Sequence, residues 1–139
     1  KVGMHVTCVC PEVNAAARDE ELYAAAASQG LYQLTEDLRP ALEHSDAVYT
    51  DTWIDMEFFA EPKFASEKER RVQLFQPYQL NRELIADLDL KILHCLPAHH
   101  GYEIEGALLH DERSLIFTQA ENRLHSQKAV LLKLADALS

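Results

Sequence analysis

Short apolar runs alternate with longer amphipathic stretches along the chain. The runs are continuous and apolar, as expected of strands that are covered on both faces of a parallel sheet. They predict strands at Val2–Val9, Leu31–Leu34, Asp46–Thr50, Leu90–Cys95 and Ser114–Phe117. The amphipathic stretches predict helices at Ala15–Gln29, Glu36–His44, Ser66–Phe75, Asn81–Asp87 and Glu121–Leu138. This alternation predicts an α/β fold, a Rossmann-like three-layer sandwich built on a parallel sheet.

Polar and special residues mark several of the predicted helix ends. Asn14 is placed to cap the first helix at its N-terminus, and Gly30 is placed to end it. Thr35 is placed to cap the second helix, and Pro77 is expected to interrupt the helical stretch that begins at Ser66. These local signals agree with the apolar pattern.

The size and composition are those of one globular domain. A chain of 139 residues, 47% hydrophobic and 26% charged, is long enough for one core and short for two, so residues 1–139 are predicted to form a single domain. The net charge of −10 argues against a nucleic-acid partner, because phosphate contacts need clustered Lys and Arg. No apolar run in the sequence is long enough to cross a membrane, and no signal-peptide pattern is visible in it.

The cysteines and the first residue add two expectations. Three cysteines, an odd number, do not make a disulfide framework and favour reduced thiols in a cytoplasmic protein. We expect Cys8 and Cys10, on one predicted strand, to point to opposite faces of that strand. The sequence begins at Lys1 and enters a strand almost at once, so we expect it to be a piece of a longer protein.

Two loops are candidates for the functional site. Ligands of open parallel sheets bind at the loops that follow the carboxyl ends of the strands. One such loop follows Thr50, and another follows His94 and Cys95. Asp51 lies just past a strand end, where its carboxylate can cap a turn or bind an ammonium group. The spacing alone leaves both roles open.

The second loop places a thiol and three imidazoles at a strand end. A metal site needs three or four ligands in tetrahedral reach, but His94 and Cys95 are adjacent on a strand and diverge, and His99 and His100 are adjacent too. A cysteine nucleophile needs a histidine base in an activating environment, which neighbours in sequence do not supply. The pattern therefore favours a polar substrate pocket or a satisfied strand end, and we predict no metal ion.

Arg123 is a candidate anion-binding residue. It lies near the predicted start of the last helix, where the helix dipole disfavours a cation. A residue placed against the dipole is a candidate for holding a phosphate or a carboxylate in the fork of its guanidinium. The alternative is a surface salt bridge with Glu121 or Asp111, which contributes little to stability.

Three stretches together resemble a known family. VYTDTW at 48–53, HCLPAHHG at 94–101 and AENRLHSQKAVL at 120–131 resemble signature segments of the ornithine carbamoyltransferase family, within the aspartate/ornithine carbamoyltransferase superfamily. They occur in the family's order and spacing, and PYQLN at 77–81 resembles the segment between the first two. The resemblance covers nearly the whole chain. It implies the C-terminal, amino-acid-binding domain of such an enzyme, without the family's first domain.

The resemblance implies a reaction and an assembly. Family members transfer the carbamoyl group of carbamoyl phosphate to the δ-amine of ornithine, which gives citrulline and phosphate in arginine biosynthesis, without a cofactor. The resemblance also implies that the full-length enzyme is a homotrimer and that this half alone is inactive. A central strand of the family's sheet falls outside the chain, so we expect a gap in the sheet.

The resemblance also implies roles for particular residues. Asp51 resembles the carboxylate that holds the ornithine ammonium group, and Cys95 resembles the thiol near the reacting amine. Leu96 resembles the residue whose backbone carbonyl faces the carbamoyl nitrogen, and His94 is expected beside the substrate. Arg123 resembles the guanidinium on carbamoyl phosphate. Cys95 and Arg123 are therefore the candidate catalytic residues.

The loop after DTW departs from the family pattern. Ornithine enzymes usually read x-Ser-Met-Gly there, and this chain reads Ile54-Asp55-Met56-Glu57. We expect Asp55 and the retained Met56 to contact the substrate. The added carboxylates favour an acceptor with a second positive charge, or one without a free carboxylate. The acceptor is therefore left open as ornithine or a related amine.

Two other functions are compatible with parts of the sequence. A non-catalytic amino-acid-binding or regulatory module could keep the pocket and lose the chemistry. The joint presence of Asp51, Cys95 and Arg123 argues against that function. A dinucleotide-binding domain is disfavoured, because the chain has four glycines and no G-x-G-x-x-G motif.

Overall fold

The computed structural model describes residues 2–14, 19–54 and 62–138. Its strands are β1 (Val6–Val9), β2 (Tyr32–Thr35), β3 (Ala47–Thr50) and β4 (Lys91–His94). Its helices are α1 (Glu20–Ser28), α2 (Leu38–Glu43), α3 (Ala65–Phe75) and α4 (Ile116–Leu138), and short 3-10 segments lie at Pro62–Phe64, Gln76–Tyr78 and Gly106–His110. No described helix combines the length and the apolar character that crossing a membrane requires. The predicted α/β class with parallel strands is confirmed.

The strands within the described ranges form two parallel pairs. β1 pairs with β2, with Val6 opposite Tyr32, and β3 pairs with β4, with Ala47 opposite Lys91. An isolated parallel bridge joins Ser114 to the middle of β4. The continuous sheet that the alternation predicts is therefore divided. This division agrees with the gap in the sheet that the family resemblance implies.

The core lies around β4 and the segments that follow it. It consists of nine buried apolar side chains: Leu42, Leu80, Ile85, Leu90, Ile92, Ile104, Leu108, Leu109 and Ile116. The part of the chain around β1, β2 and α1 is less well packed, since Val6 is 49% exposed and α1 buries no residue. Because burial of apolar surface is the main stabilising term, the half that carries β3 and β4 is expected to dominate stability.

The ends of α1 differ in how well the sequence predicts them. Asp19, not Asn14, is the N-cap, and its carboxylate accepts a 2.9 Å hydrogen bond from a first-turn N–H. Residues 15–18 lie outside the described residues, so the predicted first turn is not compared. Gly30 ends the helix as predicted, with φ +69° and a 2.9 Å hydrogen bond from Leu31 N–H to the Ala26 carbonyl. A left-handed residue at this place favours glycine.

The helix predicted at Asn81–Asp87 is wrong, because residues 82–87 form successive turns. Asn81 Oδ1 accepts a hydrogen bond from Leu84 N–H at 2.9 Å. The Arg113 guanidinium donates to the carbonyls of Ile85 and Leu88 at 2.8 and 2.9 Å. The backbone makes i→i−3 hydrogen bonds, from Ala86 N–H to the Glu83 carbonyl at 3.4 Å and from Leu88 N–H to the Ile85 carbonyl at 3.3 Å, which are bonds of turns rather than of an α-helix.

The strand predicted at Ser114–Phe117 is also wrong. Only Ser114 bridges to β4, and α4 begins at Ile116, earlier than predicted. Gln119 N–H already bonds the Leu115 carbonyl at 2.8 Å. Arg123 consequently lies well inside α4 rather than in its first turn. The argument from the helix dipole therefore does not apply to Arg123.

Cys8 and Cys10 lie on the same side of the chain, so the expectation of opposite faces is wrong. Their sulfur atoms are 3.9 Å apart, because side chains two positions apart on an extended chain share a face. All three cysteines are free. Burial, with a contribution from Cys8, raises the pKa of Cys10 to about 11. Cys10 is therefore a protonated thiol at neutral pH.

Candidate functional site

The ends of β3 and β4 bring the two candidate loops together. In the parallel register, Thr50 lies opposite His94, so the next residues, Asp51 and Cys95, are neighbours. The Cys95 thiol donates a hydrogen bond to Asp51 Oδ1 at 2.7 Å. Asp51 is exposed and Cys95 is half-buried. A carboxylate and a thiol therefore meet at the open carboxyl edge of this strand pair.

The Cys95 thiol is protonated at neutral pH. Burial raises its pKa to about 11, together with the hydrogen bond to Asp51 and the negative charge of that carboxylate. A reactive cysteine nucleophile needs the opposite shift, toward the thiolate. The geometry therefore suits a hydrogen-bonding role for Cys95 beside an anion rather than nucleophilic attack.

The loop that carries Asp51 is anchored close to the strand end. Asp51 Oδ1 accepts a 2.7 Å hydrogen bond from Thr52 N–H, so the carboxylate stabilises a turn and contacts Cys95 at the same time. The Thr52 hydroxyl donates to the Ile54 carbonyl at 2.9 Å. Trp53 and Ile54 are buried, and Arg71 reaches the Trp53 carbonyl at 3.4 Å. These contacts hold the Asp51 carboxylate at a fixed place on the carboxyl edge of β3 and β4, which is called the rim below.

His94 is buried beneath the rim and contacts protein groups through both ring nitrogens. Its Nδ1 accepts a hydrogen bond from Leu96 N–H at 2.7 Å, so its proton lies on Nε2. Nε2 donates to Glu103 Oε1 at 3.0 Å. Its backbone N–H donates to Gln119 Oε1 of α4 at 3.2 Å. His94 was expected to contact substrate, and that role stays a prediction.

Leu96 makes a sharp turn directly after the strand. Its φ is +56°, in the left-handed region, and the peptide bond that follows it to Pro97 is cis. A left-handed conformation costs a residue other than glycine about 1–2 kcal/mol. The hydrogen bond from Leu96 N–H to the His94 ring offsets part of that cost. The strand end is therefore shaped by the buried histidine.

Glu103 belongs to this cluster, although the sequence analysis did not single it out. It is fully buried, and its Oε1 accepts hydrogen bonds from His94 Nε2–H and from His99 N–H, the latter at 2.7 Å. Burial raises the pKa of Glu103, but these hydrogen bonds outweigh burial and hold the pKa below its usual value. The carboxylate is therefore ionised at neutral pH. A single Glu in a loop resembles a surface residue, so the sequence carries no signal for it.

Arg123 lies in α4 and is exposed. Residues four apart on a helix share a face, so Arg123 is one turn beyond Gln119, which bonds the His94 backbone. The alternative salt bridges do not account for it within the described residues. Asp111 pairs with Arg113 at 2.9 Å, and Glu121 Oε1 lies 3.8 Å from the His125 ring, one turn along α4. In the described part of the chain, no hydrogen bond or ion pair joins Arg123 to Asp51 or Cys95.

Two further predicted residues, Asp55 and Met56, lie outside the described residues, so their contact with substrate stays a prediction. The sequence analysis also considered a metal site. Among residues 2–14, 19–54 and 62–138, no group of three His, Cys, Asp or Glu side chains could hold a metal ion.

Fold and site together define a class of protein. The class is an α/β domain whose candidate ligand site lies at the carboxyl edge of a parallel strand pair. Comparison with known families is more specific. The family model described as aspartate/ornithine carbamoyltransferase, Asp/Orn binding domain, matches residues 1–134. The chain belongs to this family, and the resemblance found in the sequence is confirmed.

Similar proteins agree with this assignment. The chain is 42% identical over 139 residues to an ornithine carbamoyltransferase of Halalkalibacterium halodurans, a match that covers 96% of this chain and 42% of that protein. The solved ornithine carbamoyltransferase of Pyrococcus furiosus has a TM-score of 0.74 at 37% identity, over 93% of this chain and 41% of that one. The chain thus spans about two fifths of the length of these relatives.

A third similar structure has a different acceptor in its name. A mutant N-acetyl-L-ornithine transcarbamylase, complexed with carbamyl phosphate and N-succinyl-L-norvaline, has a TM-score of 0.68 at 29% identity. The match covers 93% of this chain and 40% of that one. The same domain fold therefore occurs in proteins named for different acceptor amines.

The Asp51–Cys95 contact makes a prediction about thiol ionisation. Asp51→Asn removes the negative charge that disfavours the thiolate, so the pKa of Cys95 should fall from about 11. It should stay above the usual value, because burial is the largest cause of the shift. The pH dependence of iodoacetamide labelling at Cys95, followed by mass spectrometry, measures the change.

Asp46→Asn is the matched control for this experiment. Asp46 is exposed at the opposite end of β3 and should leave the labelling profile of Cys95 unchanged. An Asp51→Asn profile that overlays the wild-type profile would show that the carboxylate does not act on the thiol.

Proposed function

We propose that the protein containing this chain transfers the carbamoyl group of carbamoyl phosphate to the amine of ornithine or a related amino acid. This chain supplies the half that binds the acceptor. The observation that carries the proposal is the Asp51–Cys95 pair where β3 and β4 end, in a domain of the carbamoyltransferase family. With ornithine as the acceptor the product is citrulline, in arginine biosynthesis.

The exposed carboxylate suits the acceptor. An ammonium group makes charge-assisted hydrogen bonds to a carboxylate, and Asp51 is exposed and held by its own turn. The protonated Cys95 thiol lies against the same oxygen. The amine that attacks must be deprotonated, so it is distinct from the ammonium group that Asp51 holds. Partial desolvation lowers the pKa of the reacting amine, whereas contact with a carboxylate would raise it.

The proposed reaction is a displacement at an acyl carbon. The neutral amine attacks the carbamoyl carbon, a C–N bond forms, the C–O bond to phosphate breaks, and the proton that the amine loses passes to the departing phosphate. The Leu96 carbonyl, at the left-handed turn, accepts a hydrogen bond from the carbamoyl nitrogen. Arg123 binds the phosphate end in its guanidinium fork. We propose no cofactor, because carbamoyl phosphate is already an activated acyl donor.

The remaining parts of the proposal concern the whole protein. The relatives are more than twice as long as the matched segment, so we propose that the rest of the carbamoyl phosphate site lies in another domain. It follows that this half alone is inactive. The family resemblance supports a homotrimer for the full-length enzyme. The three free cysteines support a cytoplasmic location, where thiols stay reduced.

An amine panel tests the proposed activity. The full-length protein should release phosphate from carbamoyl phosphate with at least one of ornithine, N-acetylornithine, putrescine and lysine, and mass spectrometry should show the carbamoylated amine. Reactions without amine correct for spontaneous hydrolysis, and the 139-residue chain alone should show no release. Failure with every amine would contradict the enzyme assignment and favour a non-catalytic binding module.

Arg123→Ala tests the phosphate-binding role. Loss of a charged hydrogen-bond donor should raise the KM for carbamoyl phosphate about 10- to 100-fold. The matched control is Arg82→Ala, because Arg82 is exposed and its guanidinium lies 3.9 Å from Glu105. Steady-state kinetics at saturating acceptor measure both variants. A KM equal to that of the wild type would remove Arg123 from the site.

A further inference from the structure

Two of the three free cysteines form a pair in the other strand pair of the domain. Cys8 lies in β1, and Cys10 follows the last residue of that strand. Their sulfur atoms are 3.9 Å apart, and both side chains are half-buried. Cys95, the third cysteine, donates its hydrogen bond to Asp51. The pair is therefore a partly exposed dithiol that the proposed carbamoyl transfer does not use.

The backbone decides what the two thiols can form. Residues two apart on an extended chain project to the same face, with their Cα atoms about 6.4–6.8 Å apart. A disulfide tolerates Cα separations of about 4.4–6.8 Å, so this pair lies at the upper end of the range. A bond between Cys8 and Cys10 is therefore possible but strained. Strained disulfides are the ones that are readily reduced again.

The segment that carries the pair can adjust to such a bond. Val6, in the same strand, is 49% exposed, and neither cysteine belongs to the buried core cluster. Cys10 lies just beyond β1, where its backbone N–H donates a 3.2 Å hydrogen bond to the carbonyl of Thr35, the last residue of β2. Movement of Cys10 toward Cys8 therefore distorts a strand end and leaves the core cluster in place.

The two thiols differ in how readily they react. Burial raises the pKa of Cys10 to about 11, with contributions from the charge of Cys8 and from a hydrogen bond to it. Because the thiolate is the nucleophile, Cys10 is a poor first attacker, and the first attack falls to Cys8. A Cys8 that carries a substituent no longer has that charge. The pKa of Cys10 then falls, although burial remains, and the first step prepares the second.

We propose that Cys8 and Cys10 are a reversible oxidation site, which a small-molecule disulfide such as oxidised glutathione converts to an intramolecular disulfide. The Cys8 thiolate attacks one sulfur of the reagent, a mixed disulfide forms, and the first small thiol leaves. The Cys10 thiolate then attacks the Cys8 sulfur, the bond between the two cysteines forms, and the second small thiol leaves. The protein loses two electrons and two protons, and the reagent takes up both as two thiols.

Peptide mass spectrometry on the full-length protein tests the site. The protein is equilibrated in mixtures of reduced and oxidised glutathione, quenched with acid, alkylated with N-ethylmaleimide and digested with trypsin. The tryptic peptide of residues 2–18 contains Cys8 and Cys10 and no other cysteine. In oxidising mixtures this peptide should lose two hydrogen atoms and take no alkylating reagent. Excess dithiothreitol should restore two alkylated thiols.

Cys8→Ser and Cys10→Ser are matched variants that each leave one thiol of the pair. Both should stop at the mixed disulfide, with one glutathione attached to the remaining cysteine. Cys10→Ser should form it faster than Cys8→Ser, because Cys8 makes the first attack. Cys95 in the wild type is the internal control, and it should form no bond to Cys8 or Cys10.

Three results would overturn the proposal. The first is a wild-type peptide that keeps two alkylated thiols in the most oxidising mixture. The second is a wild type that stops at a mixed disulfide on Cys8, which would show that Cys10 does not reach it. The third is a bond between the two cysteines that excess dithiothreitol does not reduce. Since the readout is a mass and not a rate of carbamoyl transfer, these results do not depend on the proposed function.

Discussion

The candidate site depends on the parallel register of β3 and β4. Thr50 pairs with His94, so the residue that follows each strand, Asp51 after β3 and Cys95 after β4, lies within hydrogen-bond distance of the other. A slip of one residue would turn every side chain of β4 to the opposite face. Ile92 opposes such a slip, because it is fully buried in the core and also bridges to the segment before α4. Core packing therefore sets the geometry of the rim.

The rim combines an exposed polar pair with a buried one. Asp51 and Cys95 face outward, whereas His94 and Glu103 are buried beneath them. Two carboxylates near one strand end make the place favourable for an ammonium group and unfavourable for a phosphate dianion. Under the proposed function, this charge distribution is a physical reason for the phosphate of carbamoyl phosphate to bind away from this strand end.

The sequence predicted the parts of the structure that follow from local rules. β4 and α3 lie nearly where the sequence predicts them, because a continuous apolar run marks β4 and Pro77 marks the end of the charged helix α3. The meeting of Asp51 with Cys95 could be expected from the common edge at which parallel strands end. These rules need no knowledge of distant side chains.

The parts that the sequence missed depend on contacts between distant segments. Arg113, far along the chain, donates to the Ile85 carbonyl within the turns of residues 82–87 and to the Leu88 carbonyl just after them. The start of α4 was misplaced because Ser114 gives one bridge to β4 and then leaves the sheet. Glu103 was missed because its burial results from packing that joins it to His94. Charge and loop position alone predict the opposite environment for such a residue.

The central claim is that the acceptor amine binds where β3 and β4 end. The most direct test is a crystal structure of the full-length protein with carbamoyl phosphate and a non-reactive analogue of the acceptor, identified by the amine panel. The account predicts density for the analogue within hydrogen-bond distance of Asp51 and Cys95, with the carbamoyl group beside the Leu96 carbonyl. Density for the analogue at another edge of the domain, with Asp51 and Cys95 still paired only with each other, would contradict it.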